Sequence, residues 1–192
     1  MSRVRMVRKE QAQPEVKEIY DKIEANGAKV LNLYRVLAHN PDIFRHSLRL
    51  GGALLTRTEL LPKLRELAIL LIAQLTGSEY EWEQHYPIAL ETGVSREQAN
   101  AIWNWNESTS FSSEERAVLQ YTDEVTQEVT VKDETFRALK QYLNEQSIVE
   151  LTLSIGYWGM VARVLVPLQV DIDVKSVCSV QELTGRTPGK PD

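Results

Sequence analysis

The feature that most constrains this chain is an apolar stretch with a single break, residues 62 to 93, PKLRELAILLIAQLTGSEYEWEQHYPIALETG. Its first half carries one carboxylate, Glu66. Thr76 and Gly77 then interrupt it, and a second segment opens with Ser78 and bears Glu81 and His85. As one unbroken helix the stretch would hold Glu66 and Ser78 about 18 Å apart, at ~1.5 Å of rise per residue, too far to share chemistry. Glycine is a natural helix stop, and the S-E-Y-E after it reads as a capping box with Ser78 as N-cap and Glu81 at the third helical position. Two helices are therefore expected, and folding one back on the other would bring Glu66 near His85. In the second helix Glu81 and His85 are i, i+4 neighbours. They flank the apolar stripe Trp82, Tyr86 and Ala89, at the edge of a core rather than in open water.

The remaining segments read the same way. Pro14 to Ala25 places Val16, Ile19, Tyr20 and Ile23 on one helical face, with proline suited to the first turn and Asn26-Gly27 as the stop. Val30 to Ala38 is a second helix, closed by His39, Asn40 and Pro41, because the residue before a proline is pushed out of helical geometry. Asp42 to Leu55 follows, with Ile43, Phe44, Ser47, Leu48 and Leu50 as the expected buried stripe and Gly51-Gly52 permitting close packing or a bend. Beyond Gly93, Ser95 with Gln98 forms another capping box. Asn104 to Ser110 is a polar loop, with Trp103 and Trp105 placed to cover a pocket or a subunit contact, or simply to pack at a helix end. Ser112 or Ser113 caps a helix to about Thr130, Lys132 to Asn144 forms a further one, and Ser147 to Leu168 is the last long one. Strand patterns are almost absent, since Pro167 interrupts the branched run Val164 to Val170. The expectation is an all-α fold of about eight helices with short connections.

At 192 residues, 43% hydrophobic and 26% charged, the chain is the size of one domain with ample core, residues 1–192. A formal net charge of -5 argues against a nucleic-acid partner, which calls for a concentrated basic face. The basic N-terminus, Arg3, Arg5, Arg8 and Lys9, reads as part of a solvated flexible tail, residues 1–13, and residues 174–192 as a C-terminal extension. Cys178 is the only cysteine, so an internal disulfide, a dithiol pair and a cysteine-rich zinc site are excluded. MSRVRMVRKEQAQPE has no apolar core of a signal peptide, and the longest apolar run, Leu67 to Ala73, is too short to span a bilayer. No membrane partner and a cytoplasmic setting are the expectations.

One internal echo stands out. Arg65-Glu66-Leu67-Ala68-Ile69-Leu70 resembles Val149-Glu150-Leu151-Thr152-Leu153-Ser154, which would make the chain an old duplication. Carried forward by the same offset, Ser78, Glu81 and His85 fall on Ala162, Leu165 and Gln169, so only the first copy carries polar groups.

Three separated segments then agree in order. They are N-L-Y-R-V-L-A-H-N-P, R-E-L-A-I-L-x-x-A-x-L-T-G-S-E-Y-E-W-x-x-H and V-E-L-T-L-S-I-G-Y-W-G-M-V-A-R, and together they span roughly Val30 to Asp173. In this the chain resembles the carboxymuconolactone decarboxylase family, which includes the AhpD-type alkylhydroperoxidases. The resemblance implies an AhpD-like all-α bundle of antiparallel helices, assembled as a homo-oligomer, trimer or hexamer, with active sites near subunit interfaces. It also implies a site. The peroxidase branch carries a glutamate, a C-x-x-C pair and a histidine four residues past the second cysteine. Glu66 and His85 match the glutamate and the histidine, while Ser78 and Glu81 occupy the cysteine positions. Without that thiol pair the peroxidase cycle cannot run, so the chain resembles the cysteine-free, decarboxylase-like branch.

Acid–base chemistry by side chains is what remains, with no cofactor and no metal expected. Loss of carbon dioxide from a carboxymuconolactone leaves a carbanion conjugated with a carbonyl, which needs a proton donor. His85 is a candidate donor or base because imidazole exchanges protons near neutral pH. Glu81, one turn away, would orient the imidazole and favour its protonated form, and Glu66, in an otherwise apolar helix, would be desolvated and could relay a proton. Ser78, Trp82, Arg35, Arg65 and Arg163 are candidates for substrate binding, the arginines for substrate carboxylates. Plainer readings stand beside these: Glu81 as a cap partner of Ser78, its pairing with His85 as an exposed helix contact, and Glu66 as a solvated neighbour of Arg65. Two function classes follow. One is a cofactor-free lyase, isomerase or hydrolase acting on a small carboxylated lactone or cyclic enol compound; the other is a non-catalytic helical oligomer that binds a small ligand or partner.

Overall fold

The structure is a computed structural model and describes residues 1–173; the expected C-terminal extension and Cys178 lie outside them. Among the described residues the chain is all-helical, with nine α-helices: α1 (Pro14–Ala25), α2 (Asn32–Leu37), α3 (Pro41–Thr56), α4 (Pro62–Thr76), α5 (Glu79–Glu91), α6 (Arg96–Asn100), α7 (Ser113–Glu128), α8 (Asp133–Leu139) and α9 (Glu145–Leu165). Short 3₁₀ turns lie at Lys9–Gln11 and Ile102–Asn104.

Helix α4 is the axis of the bundle. All eleven residues from Leu64 to Gln74 are buried, and α5, α7 and α9 pack around them. A helix apolar around its whole circumference has to be surrounded. Toward α7, α8 and α9 it packs Leu64, Ala68, Ile69 and Ile72 with Val118, Leu139, Leu151 and Trp158. Toward α5 and the 3₁₀ turn it packs Leu67, Leu70 and Leu71 with Trp82, Ala89 and Ile102. Each leucine and isoleucine among them stabilises the fold by roughly 1.5–3 kcal/mol when fully buried.

The expected punctuation is present. Gly77 ends α4 in left-handed geometry at φ 67°, and the Ser78 N–H donates to the Ala73 carbonyl across the stop. Asn40 caps α3 by accepting from the Asp42 and Ile43 N–H groups, and Ser95 with Gln98 and Ser112 with Glu115 form complete capping boxes for α6 and α7. The box expected at Ser78 and Glu81 is not made: Ser78 is the N-cap of α5, but its side chain accepts no cap hydrogen bond. Trp105 packs in the α4–α5 core rather than covering a pocket. Helix α8 covers only part of Lys132 to Asn144.

Two expectations are corrected. Residues 1–13 do not form a free tail: the Arg3 N–H donates to the Leu168 carbonyl, the Val7 N–H to the Arg35 carbonyl, and Val7 and Ala12 join Val16, Tyr20 and Phe44 in a core cluster. Arginines alternate there with apolar residues, so Arg3 and Arg5 face water while Val4, Met6 and Val7 turn inward. In α3 the buried face is Phe44, Ser47, Gly51 and Leu54, whereas Ile43 and Leu50 are exposed. Helix α9 is the one described helix long and apolar enough to cross a membrane, and half of its apolar window is buried in the bundle.

Candidate functional site

The stop at Gly77 turns α5 back along α4, and Glu66 meets His85: Oε2 lies 2.9 Å from Nδ1. The other imidazole nitrogen, Nε2, accepts from the Trp158 indole N–H of α9 at 2.8 Å, with the two rings edge to face. An indole N–H can only donate, so Nε2 carries the lone pair and the ring proton sits on Nδ1, pointing at Glu66. The second Glu66 oxygen accepts from Arg65 Nε at 3.1 Å, and Arg65 Nη1 reaches the Leu54 carbonyl. Arg65, Glu66, His85 and Trp158 thus form one buried row across α4, α5 and α9. Glu66 is fully shielded from solvent, so its charge is sustained by Arg65 and the imidazole N–H.

A cavity of about 320 Å³ opens beside this row. Its wall is apolar over Leu33, Leu48, Leu55, Val161 and Leu165, and its polar side chains are Tyr34, Tyr80, Glu81, Gln84, His85 and Tyr157. Gly51 and Gly52 of α3 complete one side. Tyr80 is committed, its hydroxyl donating to Asp173 and accepting from the Leu33 N–H. Tyr157 donates to the Ser47 carbonyl. Tyr34 and Gln84 have no hydrogen-bond partner for their side chains among the described residues.

Glu81 is the exceptional group. It is 2% exposed, and neither carboxylate oxygen has a hydrogen-bond partner. Burial pushes its carboxyl up to about 8, opposed only weakly by the nearby Ser78 hydroxyl. With no cation beside it and burial outweighing the Ser78 hydroxyl, the group keeps its proton at neutral pH. Burial also raises Tyr34 and Tyr157, which stay protonated over the same range.

The expected site residues therefore separate. Glu66, Glu81 and His85 converge, but the imidazole is oriented by Glu66 and Trp158 rather than by Glu81, and Glu66 is a paired anion rather than a solitary relay. The residues expected to bind substrate lie elsewhere. Trp82 is fully buried in the α4–α5 core and stacks on Tyr86. Ser78 lines a separate cleft with Val170 and Asp171. Arg35 bonds Asn32 and faces a cleft shared with Arg8 and Tyr20, and Arg163 donates to the Gly159 carbonyl beside Thr126 and Val166. Arg65 is consumed by Glu66. Sequence reasoning missed Trp158, Tyr157, Tyr34 and Gln84; the first two sit in the G-Y-W-G segment that carries part of the resemblance.

Residues 41–124 match the carboxymuconolactone decarboxylase family. The uncharacterized protein YnjA of Escherichia coli (strain K12) is 30% identical over 128 residues, 66% of this chain and 69% of its own length. The uncharacterized protein YdfG of Bacillus subtilis (strain 168) is 27% identical over 94 residues, 48% of this chain, and the match spans 64% of YdfG. Among solved structures, an AhpD-core, uncharacterized peroxidase-related protein from Ralstonia eutropha JMP134 superposes with a TM-score of 0.78 at 19% identity, covering 97% of both chains. The debrominase Bmp8, in its apo form, superposes with a TM-score of 0.77 at 19% identity, covering 93% of this chain and 96% of its own. Both structural likenesses bear on the fold.

Proposed function

Because this chain belongs to the carboxymuconolactone decarboxylase family and carries no C-x-x-C pair, we propose that it is a cofactor-independent acid–base enzyme acting on a small cyclic enol or lactone, with Glu81 as its proton carrier. The observation that carries this reading is a buried carboxyl, unpartnered, in the wall of a mostly apolar cavity. A general acid–base group works best when its proton affinity lies near the working pH, and burial brings Glu81 there. The step it serves is proton transfer at a carbon conjugated with a carbonyl, common to lactone decarboxylation and to movement of a ring double bond. Tyr34 and Gln84, both neutral donors without partners, suit the enolate oxygen that develops in that step.

His85 takes a different part. Both of its nitrogens are engaged, so in this arrangement neither faces a substrate. It acts as a positioning residue: tied to α4 through Glu66 and to α9 through Trp158, it fixes the face of α5 from which Glu81 projects. The cavity has room for a small ring compound, and Bmp8, which shares the fold, has been solved in complex with 2,3,4-tribromopyrrole.

The test compares Glu81→Gln with His85→Asn by following deuterium uptake from D₂O into a five-membered unsaturated lactone by NMR. Glu81→Gln should slow uptake by about 100-fold or more while the lactone still raises the melting temperature. His85→Asn should retain measurable exchange. Full exchange in Glu81→Gln would end the reading.

A further inference from the structure

We infer that the substrate is an uncharged ring bearing a carbonyl, and hence that the reaction is a proton shift along the ring rather than loss of carbon dioxide. The inference rests on the preceding reading of Glu81 and narrows it to one substrate class.

Three observations carry it. First, each arginine expected to hold a substrate carboxylate is elsewhere with its own partners: Arg65 on Glu66, Arg35 on Asn32, Arg163 on the Gly159 carbonyl. No lysine or arginine lines the cavity among the described residues. Second, the donors that do line it without partners, the Tyr34 hydroxyl and the Gln84 amide, are neutral. Neutral donors suit a carbonyl, whose oxygen gains charge only as the reaction proceeds, whereas a carboxylate would have to leave water with no cation to meet it. That desolvation costs more than burial of one small ring returns. Third, Glu81 sits in the same wall, and an anionic occupant beside it would disfavour the carboxylate form that proton removal needs.

The step balances without a co-reactant. The Glu81 carboxylate, the minor form at neutral pH and the major one above about 8, removes a proton from the ring carbon beside the carbonyl, and the C–H electron pair moves onto the carbonyl oxygen to give a dienolate. The protonated Glu81 then returns a proton to the far carbon of the conjugated system, the electron pair closes the new double bond, and the carboxylate is restored. In D₂O the carboxyl proton exchanges with solvent before it is returned, so deuterium enters the ring.

Gly52 leaves open space in the same wall. It lines the cavity from within α3, and a Cβ placed on it meets nothing within 4 Å. Packing therefore does not require glycine there, although a helix interior favours alanine over it.

The experiment uses three ligands on one ring: α-angelica lactone, the analogue with a carboxymethyl arm in place of the methyl group, and the methyl ester of that analogue, which keeps the arm and removes its charge. Binding is read by calorimetry and turnover by deuterium uptake, with the full chain and with Glu81→Gln. The uncharged lactone and the ester should bind at least 10-fold more tightly than the carboxylate, and the lactone should take up deuterium only with the unsubstituted protein. Tighter binding of the carboxylate than of its ester overturns the charge inference; if that carboxylate then loses carbon dioxide in a Glu81-dependent manner, the role of Glu81 survives. Tight lactone binding with equal exchange in Glu81→Gln overturns the role of Glu81 and leaves the charge preference standing. Failure of both uncharged ligands to bind overturns the inference outright.

Discussion

Glu81 and the row beside it show what a single residue can decide in this site. A carboxyl whose folded-state value is raised from 4.5 to about 8 by burial holds a proton in the native chain that the unfolded chain releases between those values. Stability therefore falls as pH rises across that window and reaches its lowest contribution above about 8. Glu81→Gln should remove the effect: thermal denaturation of the variant is expected to match the unsubstituted protein near pH 4 and to exceed it by a few kcal/mol at pH 9. An equal difference at both pH values would mean that Glu81 is not buried unpaired. Trp158→Phe tests the other end of the row. It leaves the His85 Nε2 lone pair buried without its donor, at a cost of ~1–3 kcal/mol, so the melting temperature should drop while the Glu66 contact on Nδ1 persists. The meeting of Glu66 with His85 was legible in the sequence, because it needed only a helix stop at Gly77 and the helical period on either side. Trp158 was not, since it is 73 residues from His85 and nothing local marks an indole as a donor. The arginines misled for a related reason: position within a matched segment says nothing about which way a side chain points.

At the scale of elements, helix α3 carries two adjacent glycines with opposite demands. A Cβ on Gly51 would collide with the Tyr157 ring, meeting its Cζ at 2.8 Å and its hydroxyl closer still, whereas one on Gly52 meets nothing. Gly51→Ala should thus cost ~1–3 kcal/mol through overpacking. The strain would travel through Tyr157 to Trp158, whose rings are edge to face at 5.1 Å, and so reach the His85 row. Gly52→Ala should stabilise α3 by up to ~1 kcal/mol through helix propensity. Paired melting curves decide the matter, and equal shifts for the two variants would show that Tyr157 yields to a side chain at position 51 without cost. Helices announced by a stop, a cap or a proline were readable before any coordinates, as α1, α4 and α7 show. The docking of residues 1–13 was not, because the charge of Arg3, Arg5, Arg8 and Lys9 masks the alternating apolar side chains that pin the segment to α1, α2 and the turn after α9. Removing residues 1–12 should lower the melting temperature, since it strips Val7 and Ala12 from the cluster around Tyr20 and Phe44.

At the scale of the whole molecule, the apolar character of α9 is not accounted for within one chain. Its inner face packs on α4 and α7, yet Val149, Leu153 and Met160 remain about half exposed on the outer one, and α3, which packs beside it, exposes Ile43 and Leu50. Val149 and Leu153 lie one turn apart on that outer face and form a stripe that a contact could cover. We propose that a second copy of this chain covers it, because a symmetric contact places the same stripe on both sides at once. The membrane alternative requires α9 to leave the bundle and strip α4 of its neighbour, uncovering Leu151, Ile155 and Trp158 from the core. Sedimentation should therefore find a species heavier than the 21.9 kDa monomer, and Leu153→Glu should shift it toward that mass without loss of helical circular dichroism, since Leu153 touches no core cluster. A 21.9 kDa species for the unsubstituted chain across the micromolar range would exclude the self-association, and dissociation accompanied by loss of helicity would mean that Leu153 supports the fold and not the contact.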